Sequence, residues 1–397
     1  MEGLEQEDAP DGGHGDTRTE QVEQARTAVA AAAVESPAPR AGRPATRRGK
    51  RQNLSRPTMT DVARIAGVSQ SSVSLVLNEM TGARISAETR TKVRDAARKI
   101  GYRLPGPRQL PQAGPGTRRN VIAFVVDEIS TSPHPVITLD GARDHAFEQG
   151  FLVSAHATRS NHDLEDAILS AIAADPAVIG VIYATIFTRR ITVPDQLNGI
   201  ATVLLNCVGE ARQHVAVVPG EVAGGFAATA HLTGLGHRRI AFINGEPWMD
   251  AAIDRLKGYK QALATADIAF DDALLRNGDW LPLRGYEAAL ELLALPDPPT
   301  AILCGNDLMA LGALEAASER GLRVPEDLSI MGYDDQELAR YTHPPLTTIV
   351  LPNYEMGLKA AELLIDAAAH GKPVRPMTIK VDGPVVVRNT TAPPLHR

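Results

Sequence analysis

Thr60-Asp61-Val62-Ala63-Arg64-Ile65-Ala66-Gly67-Val68-Ser69-Gln70-Ser71-Ser72-Val73-Ser74-Leu75-Val76-Leu77-Asn78 reads as helix, tight turn, helix. Thr60 is expected to N-cap the first helix, with Asp61 in its first turn to complement the dipole. Val62, Ile65 and Ala66 fall at i, i+3 and i+4, one apolar face. Gly67 supplies a left-handed residue to end the helix. Ser69 is expected to cap a second helix, whose Val73, Val76 and Leu77 form the facing stripe. Gln70, Ser71, Ser74 and Leu75 are left exposed near its front, the part of a helix-turn-helix that reaches base edges in the major groove. A third helix opening at Ser86-Ala87-Glu88-Thr89 closes the small core through Val93, Ala97 and Ile100.

Charge agrees with this reading. Residues 43–119 hold 17 Lys/Arg against 4 Asp/Glu, +13, inside a chain of net charge −6. Residues 120–397 hold 21 against 34, and residues 1–42 hold 3 against 9. A compact basic block on a larger acidic body is the footprint of a nucleic-acid-binding module joined to a domain with another task.

Composition and pattern divide the 397 residues into four parts. Residues 1–55 lack hydrophobic periodicity and read as a disordered tail. Residues 56–103 form the helix-turn-helix domain. Residues 104–119, with four prolines and three glycines, form a hinge. Residues 120–392 alternate β-branched runs (Val121–Val126, Val178–Ile182, Thr202–Leu205, Arg239–Ile243, Ala301–Cys304, Leu328–Gly332) with helical stretches (Asp163–Ala174, Glu221–Leu235, Ala251–Ala266, Leu283–Leu293, Asp307–Arg320). Alternating βα units imply parallel sheets covered on both faces, and about 270 residues suit two α/β lobes around a cleft better than one. The expected class is therefore multi-domain, an all-α headpiece followed by a two-lobed α/β body.

The ordered set Asp61-Val62-Ala63, Ala66-Gly67-Val68-Ser69, Val73-Ser74, Val76-Leu77-Asn78, Ile85-Ser86, Glu88-Thr89-Arg90 and Gly101-Tyr102-Arg103 resembles the headpiece of the lac-repressor family of bacterial transcription factors. The body carries that family's sensor markers: Gly236-His237-Arg238-Arg239-Ile240-Ala241-Phe242-Ile243, Arg255-Leu256-x-Gly258-Tyr259, Asn306-Asp307-x-Met309-Ala310-x-Gly312, Pro325-x-Asp327-x-Ser329-Ile330, Gly332-Tyr333-Asp334-Asp335 and Pro345-Leu346-Thr347-Thr348-Ile349. It is similar in this to periplasmic sugar-binding proteins. The resemblance implies a repressor that binds a pseudo-palindromic double-stranded DNA operator as a homodimer. A small sugar-like effector in the inter-lobe cleft would modulate it. The DNA-contacting set expected from the helix-turn-helix, the resemblance and the hinge together is Thr60, Arg64, Gln70, Ser71, Ser74, Leu75, Asn78, Arg90, Tyr102, Arg108 and Leu110. The implied effector-binding set is Arg255, Asn306, Asp334, Trp280, Asn206, Tyr183 and Tyr354.

Three positions depart from the family pattern. Leu75 stands where the family often has arginine; a leucine can meet a thymine methyl but cannot pair bidentately with guanine, so a shifted operator is expected. Pro105-Gly106-Pro107-Arg108-Gln109-Leu110-Pro111 replaces the usual Asn-Ala-x-Ala-Arg-x-Leu hinge, and its prolines oppose a regular helix there. Arg108 and Leu110 remain suited to a minor groove. Pro219-Gly220-Glu221 replaces an Asp-Asn pair in the cleft lining.

Other classes find little support in the sequence. Cys207 and Cys304 make neither a disulfide framework nor a four-cysteine zinc site, and buried beside strands they are expected to be core. The histidines show no metal-site spacing, and neither a Gly-x-Ser-x-Gly elbow nor a phosphate-binding loop occurs. No enzyme activity, cofactor or metal is expected. Gly234-x-Gly236 precedes a strand and reads as a helix C-cap, which argues against a nucleotide-dependent enzyme. An acidic N-terminus unlike a secretory signal, with no long apolar run, leads to the expectation of a cytoplasmic, DNA-associated protein without membrane contact. The same features argue against the alternative of a solute-binding protein with no DNA role. No leucine heptads follow Asn389, so a coiled-coil tetramerisation tail is not expected.

Overall fold

The computed structural model describes residues 57, 59–68, 70–77, 85–102, 120–371 and 375–395. The tail, the hinge with Arg108 and Leu110, and Asn78 lie outside these residues.

The headpiece has three helices, α1 (Met59–Ala66), α2 (Gln70–Leu77) and α3 (Ala87–Ile100). Met59, Val62, Ala63, Val73, Val76, Val93, Ala96 and Ala97 form its core, with Ala66, Leu77, Ile85, Ile100 and Tyr102 packed around them. Gly67 has φ of 66°, and Val68 N–H reaches back to Ala63 carbonyl at 3.1 Å, which closes the turn. Ser86 caps α3 through Thr89 N–H at 3.1 Å. Two expectations need correction. Helix α1 begins at Met59, so Thr60 lies inside its first turn and is not the cap; burying Met59 in the core draws the helix start forward. Ile65 is 41% exposed, because two helices packed across α1 need only the narrower stripe of Met59, Val62, Ala63 and Ala66.

The body contains two parallel sheets. Strands β1 (Val121–Val126), β2 (Leu152–Ala157), β3 (Val178–Ile191), β4 (Thr202–Gly209) and β5 (Val215–Pro219) form the first, interleaved with helices α4 (His134–Glu148) and α5 (His162–Ala174). Helix α6 (Glu221–Gly234) opens the second lobe, followed by β6 (Ile240–Asn244), α7 (Asp250–Thr265), β7 (Leu275–Asn277), α8 (Pro282–Leu293), β8 (Ala301–Cys304), α9 (Asp307–Glu319) and β9 (Ser329–Met331). A short strand β10 (Thr348–Ile349) precedes α10 (Asn353–His370), β11 (Thr378–Val381) and β12 (Val385–Val386). The sheet orders are β11-β5-β4-β3-β1-β2 and β7-β6-β8-β9, with β10 and β12 paired antiparallel.

Burial explains why both sheets are parallel. In β1, Ile122, Phe124 and Val126 face α4 and α10, while Ala123 and Val125 face the α5 side; all five are at most 1% exposed. A strand apolar on both faces needs a helix layer on each, which βα crossovers supply. The second sheet is covered likewise, by α8 and α9 on one face and by α6 and α7 on the other. Helices α4 and α10 approach closely through glycines: a Cβ on Gly357 would lie 1.8 Å from Thr138 carbonyl, and one on Gly141 would lie 2.0 Å from Tyr354 carbonyl.

The backbone passes between the lobes three times, at Gly220 between β5 and α6, at 350–352 before α10, and at 382–384 between β11 and β12. Strand β11 therefore returns to complete the first sheet after the second lobe is built. Across the lobes, the Phe187 and Trp248 rings meet edge to face at 5.8 Å, and His134 Nε2 stands 3.5 Å from Asp334 Oδ2. No helix among the described residues is long and apolar enough to cross a membrane.

Candidate effector cleft and DNA-reading helix

Ligands of open parallel sheets dock beyond the carboxyl ends of the strands. In the second lobe those ends carry Asn244, the last residue of β6, Asn306 after β8 and Asp334 after β9. Helix α7 lays Arg255 across them. Its side chain is 5% exposed, and Nε and one terminal nitrogen donate to the two oxygens of Glu221, at 2.7 and 2.8 Å. The other terminal nitrogen donates to Gly305 carbonyl at 2.5 Å. Asp334 Oδ1 lies 3.6 Å from the guanidinium. The Tyr333 ring lies 3.7 Å from the guanidinium carbon and the Trp280 ring 5.5 Å. Burial alone would favour the neutral form, yet the neighbouring Glu221, Tyr333 and Asp334 hold the guanidinium pKa above its ordinary value.

Asp334 has φ of 106°, a left-handed conformation rare for a residue with a Cβ. Its side chain is 6% exposed, Oδ2 accepts from Gln336 Nε2 at 3.3 Å, and buried Oδ1 accepts no hydrogen bond. Behind it lies Asp307, fully buried, accepting from Thr348 Oγ1 at 2.6 Å and Gln336 N–H at 2.7 Å. Burial and the nearby Asp334 push its carboxyl well above the usual range.

The other implied effector residues divide differently. Trp280 stands beside Arg255, its Nε1 donating to Met249 sulfur at 2.8 Å. Asn306 caps α9: its Oδ1 accepts Met309 N–H at 2.8 Å and its Nδ2 donates to Trp280 carbonyl at 2.9 Å. Asn306 thus supports Trp280 with both ends of its amide engaged. Asn206 lies inside β4, which runs past Leu205, with φ of 58° opposite a register shift in β3. Its amide bonds Thr188 at 2.6 Å and Thr185 carbonyl at 3.0 Å, pinning that bulge. Tyr183 belongs to the core between the first sheet and α5, where its hydroxyl donates to Glu165. Tyr354 lies in the α4–α10 packing, its hydroxyl donating to Asp144 at 3.1 Å. The structure brings Arg255, Asp334 and Trp280 together and gives Asn206, Tyr183 and Tyr354 partners within the first lobe.

The cleft holds further residues besides the implied effector set. Glu221, the first residue of α6, holds Arg255 in place. In the first lobe Asp127 follows β1; Oδ1 accepts the N–H groups of Glu128 and Ile186 at 2.9 and 2.8 Å, and Oδ2 accepts Arg189 at 3.0 Å. Burial raises the Asp127 carboxyl despite the arginine. Arg189 lies 5.1 Å from the Phe187 ring, which Trp248 meets from the other lobe. His134, at the start of α4, bonds Asn353 Nδ2 at 2.9 Å as well as facing Asp334. Asp127 and Glu221 were within reach of the strand-end rule that picks out Asn306 and Asp334.

In the headpiece, Ser74 and Leu75 on α2 are half-buried, and Val73 and Val76 turn inward. Arg64 is exposed and pairs with Asp61 one turn earlier at 2.5 Å. Arg90 lies in the first turns of α3, and Tyr102 follows its left-handed cap Gly101, with N–H bonded to Ala97 carbonyl at 2.8 Å. Among the described residues no cluster of His, Cys, Asp and Glu is arranged to hold a metal ion.

Residues 58–104 match the model of bacterial regulatory proteins of the lacI family, and residues 229–391 match a periplasmic binding protein-like domain. The HTH-type transcriptional repressor CytR of Escherichia coli (strain K12) is 34% identical over 341 residues, which span 84% of this chain and 96% of the relative. The chain belongs to the LacI family. Repressor PurR of Vibrio atlanticus is 31% identical over 78% of this chain and 91% of its own length. A transcriptional regulator CelR–cellobiose complex superposes with a TM-score of 0.57 at 29% identity, covering 84% of this chain and all of that one. The lac repressor dimer bound to operator and the anti-inducer ONPF gives 0.58 at 27%, covering 85% and 100%. A helix-turn-helix headpiece on a periplasmic-binding-protein-like α/β body is thus the architecture of a LacI-family DNA-binding transcriptional regulator.

Proposed function

We propose that this LacI-family regulator is an effector-responsive repressor. It binds a pseudo-palindromic operator as a homodimer, because one three-helix module contacts too few base pairs for selectivity. In this reading residues 1–55 are a tail, 56–103 the DNA-binding domain, 104–119 the hinge and 120–392 the sensor and dimerisation body. The protein works inside the cell on DNA and carries out no catalysis. The observation that carries the effector reading is the convergence of Arg255 and Asp334, far apart in sequence and 3.6 Å apart in the fold, beside Trp280. Carboxylate and guanidinium can engage vicinal hydroxyls while an aromatic face covers the apolar side of a ring, which suits a sugar or related polyol. The cellobiose complex of a structural neighbour supports that class. Closure of the lobes on the effector shifts the headpieces relative to one another, and a coupling of ~1–3 kcal/mol is enough to switch the operator.

Thermal-shift screening of the full chain against sugars, polyols and purines tests this. A ligand at 100 times its Kd adds ~2.7 kcal/mol of stability, and the same compound must change operator retention. If no compound does both, the effector role fails; if binding to a genomic fragment library is absent, the DNA role fails.

A further inference from the structure

An arginine in a ligand cleft ordinarily invites an anion. Here that invitation is already answered. Glu221 takes Nε and one terminal nitrogen of Arg255 in a bidentate fork at 2.7 and 2.8 Å, and Gly305 carbonyl takes the other terminal nitrogen. In the facing lobe Arg189, 39% exposed, pairs through one nitrogen with Asp127 at 3.0 Å. Four carboxyl side chains, Asp127, Glu221, Asp307 and Asp334, stand against these two guanidiniums. Burial raises the Asp307 and Asp127 carboxyls, and with both set aside Glu221 and Asp334 still match the two guanidiniums one to one. Two buried acceptors at the strand ends receive no hydrogen bond, Asn244 Oδ1 and Asp334 Oδ1, and the latter sits 3.6 Å from a guanidinium whose charge Glu221 balances. Glu221 belongs to the segment that replaces the family's Asp-Asn pair, so this balance is a property of this chain. Phe187, Trp248 and Trp280 add aromatic rings and no charge.

We infer that the effector carries no negative charge: the cleft takes a neutral or cationic small molecule that presents N–H or O–H donors to Asp334, and it rejects phosphate esters and carboxylates. The inference rests on the reading of Arg255 and Asp334 as the effector wall and adds the charge class. A phosphate brought to Asp334 would meet a buried carboxylate whose neighbours are a guanidinium that Glu221 already balances and the His134 imidazole at 3.5 Å, and low dielectric strengthens the like-charge contact.

The test uses matched probes on the full chain at pH 8 and constant ionic strength: glucose, glucosamine and glucose-6-phosphate, ribose and ribose-5-phosphate, adenosine and AMP, and inorganic phosphate. Wherever a set raises the melting temperature, the uncharged or amino member is expected to act at concentrations roughly tenfold or more below its ester. Inorganic phosphate is expected to match a sodium chloride control. Glu221→Gln uncovers the arginine charge and is expected to make inorganic phosphate stabilising. Asp334→Asn removes a repelling charge while leaving the Arg255–Glu221 pair intact, and serves if the first variant folds poorly. An ester that outperforms its parent, phosphate stabilisation of the wild type, or two folded variants that gain nothing from phosphate would each overturn the charge class and leave the effector reading standing. Silence of the wild type towards every probe, with phosphate inert on both variants, would count against both.

Discussion

Arg255 and Glu221 join the second turn of α7 to the first residue of α6 by two parallel hydrogen bonds, with side chains 5% and 4% exposed. The two helices also approach through glycine, since a Cβ on Gly225 would lie 2.3 Å from Arg255 carbonyl. The pair therefore sits where backbone, cleft and lobe crossing meet, one residue beyond Gly220. Removing one partner of a buried pair leaves the other charge desolvated and unanswered.

Glu221→Ala is accordingly expected to destabilise the chain strongly. Breaking a buried pair costs about 3–5 kcal/mol, and Asp334 at 3.6 Å keeps the loss near the lower end. Glu221→Gln retains hydrogen-bonding atoms and should cost less. Urea unfolding followed by far-UV circular dichroism measures both; equal, near-zero changes would mean that the pair contributes nothing.

The salt response of operator binding reports the headpiece. Affinity of the full chain should fall steeply with rising salt as counterions are released from phosphates. Leu75→Arg should change the preferred base at one position of each half-site, by about 1–3 kcal/mol of discrimination. Selection from a random duplex library with both proteins checks this. One shared consensus would mean that residue 75 does not read a base.

Much of this was legible because apolar runs with clear ends were legible. Ala301–Cys304, between Pro299-Thr300 and Gly305, is a strand at the expected residues, and the helix expected over Asp307–Arg320 ends one residue earlier. The edge strand β2, with Ser154 and His156 in it, and the three-residue β7 lack that continuous apolar signature. Helix α4 buries Thr138, Gly141, Ala142 and Ala146 and so shows no row of large residues, whereas α10 sends Met356, Leu364 and Ile365 into the core and was legible by that spacing but passed over. At the cleft, the strand-end rule found Asp334 and Asn306 but could not separate a ligand contact from a helix cap. An asparagine between a strand and a helix suits either role, and Asn306 makes the cap. Glu221 read as a departure from a pattern; only the fold reveals its partner, 34 residues away in sequence.

The pH dependence of stability can be tested at His237. Its ring lies between Thr300 Oγ1 at 2.9 Å, Ser329 Oγ at 3.1 Å and Ala392 carbonyl at 2.8 Å, clasping the C-terminal segment. Burial lowers its pKa below the ordinary 6.5, so the folded state binds the proton more weakly than the unfolded chain. Its contribution is whole above about pH 6.5 and is lost as the pH falls from there through the folded value. His231 and His214, lowered by burial, act in the same direction, while the raised carboxyls of Asp307 and Asp127 act oppositely. The difference from a variant isolates the residue. His237→Gln should be less stable at pH 8 and lose less between pH 7 and 5; parallel melting-temperature curves would refute the assignment.

Asp334 separates ligand binding from a purely structural role. Its backbone already serves the fold, with N–H bonded to Ile349 carbonyl at 2.8 Å and carbonyl bonded to Leu351 N–H at 3.2 Å, and Asp334→Ala keeps both. The side chain gives the fold little: one 3.3 Å hydrogen bond from Gln336 and charged or aromatic neighbours at 3.5 Å or more. Removing it also relieves Asp307 of a like-charged neighbour. The melting temperature without ligand should therefore change modestly. For a ligand bonded to Asp334, the lost charge-assisted hydrogen bond costs ~1.5–3 kcal/mol, about 10- to 150-fold in affinity. The compound that stabilises the wild type should then stabilise the variant little or not at all. Operator binding without ligand should persist, because the substitution lies outside the headpiece and its core. If instead the melting temperature drops sharply and ligand affinity stays within twofold, Asp334 is a structural residue. The effector wall would then have to be sought around Asp127, Phe187 and Trp248.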